Sequence, residues 1–116
     1  SIPVKYALGR HAKAVVILTR PRGYRKGKTS MVPLLKFAFR KHPEFLQTML
    51  VRNEEYNRTL DYCERMEKEG KLFIIAPSER YSVGRTEKSL EKRAAFYHHG
   101  YECMRGEFGK IKTFLG

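Results

Sequence analysis

The chain has 116 residues, 41% of them hydrophobic, and carries 24 Lys or Arg against 12 Asp or Glu, a formal net charge of +12. That length holds one domain or less, with apolar content for a modest core. No apolar run approaches the roughly 20 residues that span a bilayer. Pro3, Lys5 and Arg10 interrupt any signal-peptide core, although a first residue other than Met leaves room for a targeting signal upstream.

In chain order, residues 1–9 predict a short helix, with Pro3 in the first turn and Gly9 at the exit. Residues 14–19, Ala-Val-Val-Ile-Leu-Thr, form an unbroken apolar run closed by Arg20-Pro21, the pattern of a strand covered on both faces. A basic loop follows, Arg20 to Lys28, in which Pro21, Gly23 and Gly27 resist regular structure. Met31 to Arg40 predicts a second helix that stops near His42, because the residue before Pro43 is biased away from helix.

The longest element runs over Glu44–Glu69. Phe45, Met49, Tyr56, Leu60, Cys63 and Met66 recur at helical spacing, and Gly70 suits a left-handed exit. At 1.5 Å per residue such a helix measures about 39 Å, so it needs a large surface to lie on, or it protrudes. A second Pro-closed strand covers residues 72–76, and Pro77 to Arg85 reads as a loop. Ser89 reads as the N-cap of a helix over 90–98, which Gly100 breaks or kinks before a final helix over 101–115 weakened by Gly106 and Gly109. The expected fold class is α/β, order α-β-α-α-β-α, with two buried, parallel strands. Because two strands cannot make the covered sheet such strands need, the chain reads as part of a larger domain. Ligand chemistry in such folds sits at the carboxyl ends of the strands, here the loops Arg20–Lys28 and Pro77–Arg85.

The charge is one-sided. Residues 1–43 hold eleven Lys or Arg and no Asp or Glu, whereas residues 44–116 hold thirteen basic and twelve acidic residues. A cationic front half points to an anionic partner: nucleic-acid phosphates, anionic lipid headgroups, or an acidic stretch of the same polypeptide. The candidate contact residues are Arg20, Arg22, Tyr24, Arg25, Lys26 and Lys28, cations around an aromatic that can hold phosphates and stack a ring. The same composition also fits a solvated loop.

Catalytic motifs are sparse. No serine lies in Gly-x-Ser-x-Gly: Ser82 has Gly84 after it but Arg80 before it. The single aspartate, Asp61, falls mid-helix, where Arg58 and Arg65 suit it to a solvated face. His98 and His99, adjacent on a helix, point about 100° apart and cannot chelate one ion together. Neither these nor Cys63 and Cys103 have zinc-ligand spacing. The cysteines read as two buried free thiols of a reducing compartment. Gly23 to Thr29 is one residue short of a phosphate loop. Neither a metal nor a cofactor is expected.

Three stretches in order carry a family resemblance: Lys71-Leu72-Phe73-Ile74-Ile75-Ala76-Pro77, Val83-Gly84-Arg85-Thr86-Glu87, and Tyr97-His98-His99-Gly100-Tyr101-Glu102. They resemble the carboxyl-terminal part of bacterial patatin-like phospholipases. There a strand ends in Pro, a Gly-Arg-x-Glu turn follows, and a helix ends in Tyr-x-x-Gly-Tyr-Glu. Val16 to Lys26 looks like the strand and basic loop of the same group, and Pro43-Glu44 with Arg52 to Asn57 fits its long helix. The resemblance fades after about Met104.

It implies a fragment of a three-layer α/β/α fold, spanning residues 1–116, from a lipid acyl hydrolase that uses a Ser–Asp dyad. Neither the Gly-x-Ser-x-Gly nor the Asp-Gly-[Gly/Ala] motif of that family has a match here, so no catalytic residue carries over and the fragment alone is expected to be inactive. The implied partners are a lipid acyl ester, through the parent protein, and an anionic membrane surface, with a cytoplasmic or peripheral-membrane location. Two alternatives stay open: a basic nucleic-acid-binding module, and a non-catalytic helical interaction or oligomerisation domain built on the 44–69 helix.

Overall fold

The computed structural model describes residues 2–26, 32–81, 83–84 and 86–116. Its elements are α1 (Val4–Arg10), β1 (Ala14–Ile17), α2 (Val32–Ala38), α3 (Pro43–Lys68), β2 (Leu72–Ile75) and α4 (Leu90–Leu115). The expected α-β-α-α-β-α order is observed. β1 and β2 are parallel neighbours in register Ala14–Leu72 to Ile17–Ile75.

Strand alternation sorts the side chains. Val16, Leu72 and Ile74 join Val4 of α1 and Cys63 and Met66 of α3 in one buried cluster. On the opposite face, Phe73 meets Phe114 of α4 with ring centroids 5.6 Å apart, and Ile111 of α4 is buried. Helices thus pack on both faces of a two-stranded sheet. β2 is covered along its length, whereas β1 is covered only in part: Ile17 is 64% exposed, because α4 packs against β2 and leaves Ile17 open. The expectation of two buried strands therefore holds fully for β2 alone.

The amides of Ala14 and Leu18 donate to the carbonyls of Lys71 and Ile75. The even spacing of parallel ladders then turns the carbonyl of Ile74 away from β1, to the free edge of β2. There it accepts a 3.0 Å hydrogen bond from the Arg22 guanidinium.

Local signals set the helix ends. Pro43 occupies the first turn of α3, where its missing N–H costs nothing. At the other end Gly70 adopts φ +75°, and the amides of Gly70 and Lys71 donate to the carbonyls of Glu67 and Met66. This Schellman pair reverses the chain directly into β2. The Ser89 hydroxyl accepts from the Lys92 amide and caps α4.

Two expectations change. Gly9 lies inside α1, which exits at His11 with an extended backbone. Gly100 does not break the last helix: α4 runs unbroken for 26 residues. A glycine costs a helix only about 1 kcal/mol, and the contacts of Phe114, Ile111 and His99 on either side of Gly100 outweigh that cost. The Lys13 ammonium donates 2.6 Å to the Phe114 carbonyl and compensates the negative end of α4.

Candidate functional site

Past the ends of β1 and β2 the chain forms a cleft of about 670 Å³. β1 leads into Thr19 and Arg20, and the basic loop adds Tyr24 and Lys26. One stripe of α3, Met49, Arg52, Asn53 and Tyr56, forms the facing wall. Val83, Gly84 and Phe96 complete it from the β2 side. None of these described lining residues is acidic.

The loop is fixed to α3 by an amide clamp. The Asn57 side chain accepts from the Lys26 backbone N–H and donates to the Lys26 carbonyl, both at 2.8 Å. One amide group thereby satisfies both polar groups of that residue. The clamp sets Lys26 Nζ 4.3 Å above the Tyr56 ring centroid, a cation–π contact. The Arg20 guanidinium lies 5.4 Å from the Tyr24 ring centroid.

The six candidate contact residues divide. Arg20, Tyr24 and Lys26 line the cleft. Arg22 and Arg25 turn to α3. Arg22 forms a bidentate pair with Glu67, both contacts at 2.9 Å. These hydrogen bonds raise its pKa above the ordinary guanidinium value despite partial desolvation. Arg25 reaches Asp61 at 2.7 Å and Glu64 at 3.0 Å. Burial works against its charge, but the two carboxylates outweigh it and its pKa is raised. Asp61, expected beside Arg58 and Arg65 on a solvated face, therefore pairs with the loop, while Arg58 takes Glu55. Lys28 lies outside the described residues, as does Ser82.

Sequence reasoning missed Arg52, Asn53 and Tyr56 as cleft residues. The available signal was their helical spacing with Met49, which puts all four on one face of α3.

A second cluster lies along α4. His99 stacks on Tyr81, centroids 4.2 Å apart, and its Nε2 accepts from the Ser78 amide at 2.9 Å. That bond assigns the ring proton of a neutral His99 to Nδ1. Cys103 Sγ lies 3.4 Å from the same Nε2. His98 and His99 lie inside α4 (Leu90–Leu115), which continues past residue 98, where the first of the two expected helices ends. Beside them an apolar groove of about 480 Å³ runs between Ile17, Ile75 and Pro77 on the sheet side and Phe96, Tyr97 and Met104 on α4. Both cysteines are free, Cys63 buried and Cys103 half-buried. Among the described residues no group of three or more potential ligands could hold a metal ion, and no helix is long and apolar enough to cross a membrane.

Residues 42–116 match the family described as a domain of unknown function, DUF6363. The chain belongs to this family. The DUF6363 match takes in α3, β2 and α4 but not α1, β1, the basic loop or α2, so most of the cleft's described lining lies within the matched region, with Thr19, Arg20, Tyr24 and Lys26 outside it. No curated protein and no solved structure matches the chain.

Proposed function

We propose that this DUF6363 chain is a carboxyl-terminal, non-catalytic part of a patatin-like lipid acyl hydrolase. The parent cleaves acyl esters through a seryl acyl-enzyme, with an aspartate as base, and this part contributes flanking strands, covering helices and a cationic cleft. The observation that carries the reading is the sheet. The two apolar stretches that resemble strands of that family lie side by side and parallel, with helices on both faces and no third strand among the described residues. The Glu87 amide donates to the Gly84 carbonyl at 3.2 Å, within the stretch that resembles the family's Gly-Arg-x-Glu turn. On this reading the protein works in the cytoplasm or at its membrane face, on lipid esters reached through the parent.

Two measurements test it. The purified 116-residue chain should not hydrolyse a p-nitrophenyl ester above the buffer rate; hydrolysis abolished by Ser82→Ala overturns the proposal. The coding sequence upstream of Ser1 should contain Asp-Gly-Gly within a few residues and Gly-x-Ser-x-Gly well before it, and their absence there refutes it.

A further inference from the structure

We infer that the cleft at the carboxyl ends of β1 and β2 is a binding site for a phosphate group on a small molecule or a single lipid headgroup, held by Lys26 and Arg52 with Arg20 beside them. The first support is the way the loop's cations are sorted. Arg22 and Arg25 are paired with Glu67, Asp61 and Glu64, whereas Lys26 lines the cleft and α3 adds Arg52. With no acidic residue among the described lining, these positive charges reinforce one another inside a concave, partly apolar wall, which concentrates the field on an entering anion.

The second support is preorganisation. The Asn57 clamp holds the Lys26 backbone at both its N–H and its C=O, and Arg52 stands on a helix. The Lys26 backbone thus needs little further ordering on binding. The third is shape and place. A volume of about 670 Å³ falls within the range of small-ligand sites, roughly 300–1,000 Å³, and the cleft opens where parallel strands present ligands. A nucleic-acid strand needs an extended cationic track. Arg22 and Arg25, which would extend one, are neutralised by α3, so the geometry favours a compact phosphate ester. Met49, Tyr56 and Phe96 offer apolar surface to its organic part. The inference is independent of the acyl-hydrolase reading, since holding a phosphate requires no ester chemistry.

The test is titration of the full chain, by calorimetry and by amide chemical shifts at fixed ionic strength. The probes are inorganic phosphate, glycerol 3-phosphate, and vesicles of phosphatidylcholine with and without phosphatidic acid. Saturable binding of at least one phosphate probe is expected, weakened about tenfold by Arg52→Gln and by Lys26→Gln, since each removes a charge-assisted hydrogen bond. Lys36→Gln removes the same charge from α2 and should leave affinity unchanged. Melting curves matching the parent's show that the variants fold, and the two cleft variants check each other. Saturation by soluble phosphates identifies a soluble ligand; vesicle binding that requires phosphatidic acid and is lost in Arg52→Gln identifies a headgroup. The inference is overturned if no phosphate probe saturates, if Lys36→Gln costs as much as Arg52→Gln, or if a short RNA binds where the phosphates do not. Absence of esterase activity leaves it standing.

Discussion

Cys63 is 1% exposed, and burial, aided by the charge of Glu64, pushes its thiol pKa up. Two outcomes follow. In the native protein a thiol reagent should modify Cys103 quickly and Cys63 only on unfolding, read as one fast and one denaturant-dependent equivalent. The pH dependence has a definite sign. Above the ordinary thiol value of about 9, the unfolded chain loses the Cys63 proton while the folded chain keeps it, so the folded state binds more protons and stability falls as pH rises. Urea melts between pH 8 and 10 should show that decline, and Cys63→Ala should flatten it. Leu72, 2% exposed at the centre of the same cluster, should cost about 2–5 kcal/mol as Leu72→Ala, measured in the same melts. Gly70 holds φ +75° with open space where a Cβ would stand. Gly70→Ala should therefore cost about 1–2 kcal/mol from backbone conformation alone.

Among the elements, α4 is the one whose sequence argues against its own continuity. Gly100, Gly106 and Gly109 all lie within it, and a Cβ at any of them meets nothing within 4 Å. Each Gly→Ala change should therefore stabilise the protein by about 0.5–1 kcal/mol, with Gly109→Ala the cleanest because it lies outside the apolar groove; a fall in melting temperature would contradict this. The same helix shows what could be read beforehand. Strands, caps and the reversal at Gly70 depend on residues within a few positions of one another, and Pro43, Gly70 and Ser89 each act as their types predict. The fates of Arg22 and Arg25 depend on carboxylates 36 to 45 positions away, and no local pattern ties them. Of the cleft, Arg20, Tyr24 and Lys26 were visible as part of a basic loop; the α3 wall of Met49, Arg52, Asn53 and Tyr56 meets them only in the tertiary fold. The continuity of α4 was hidden for the same reason, because Phe114 and His99 find their partners, Phe73 and Ser78, through the tertiary fold.

At the scale of the molecule, the radius of gyration is 17.3 Å over extents of 53 × 39 × 19 Å, against about 13 Å for a compact domain of this length. α3, one of two 26-residue helices, contributes to this. Its buried residues, Leu60, Cys63 and Met66, all lie in its second half, while Phe45 near its start is 53% exposed and packs on Phe39 just beyond α2. Nine buried hydrophobic residues make up the core among the described positions, against twelve large exposed ones. The isolated chain should accordingly unfold in urea with less than the roughly 5 kcal/mol at the low end for domains, and should bind a hydrophobic dye in its native state; a steep transition above that value would contradict the expectation. The Arg22 bond to the Ile74 carbonyl gives the sheet a direction of growth. A strand joining β2 would have to displace a guanidinium that Glu67 also holds, whereas the parallel ladder leaves the outward N–H and C=O groups of Val15 and Ile17 for a newcomer at β1. Arginine at that one carbonyl occupies the outer edge of β2, so an added strand should meet less competition at β1.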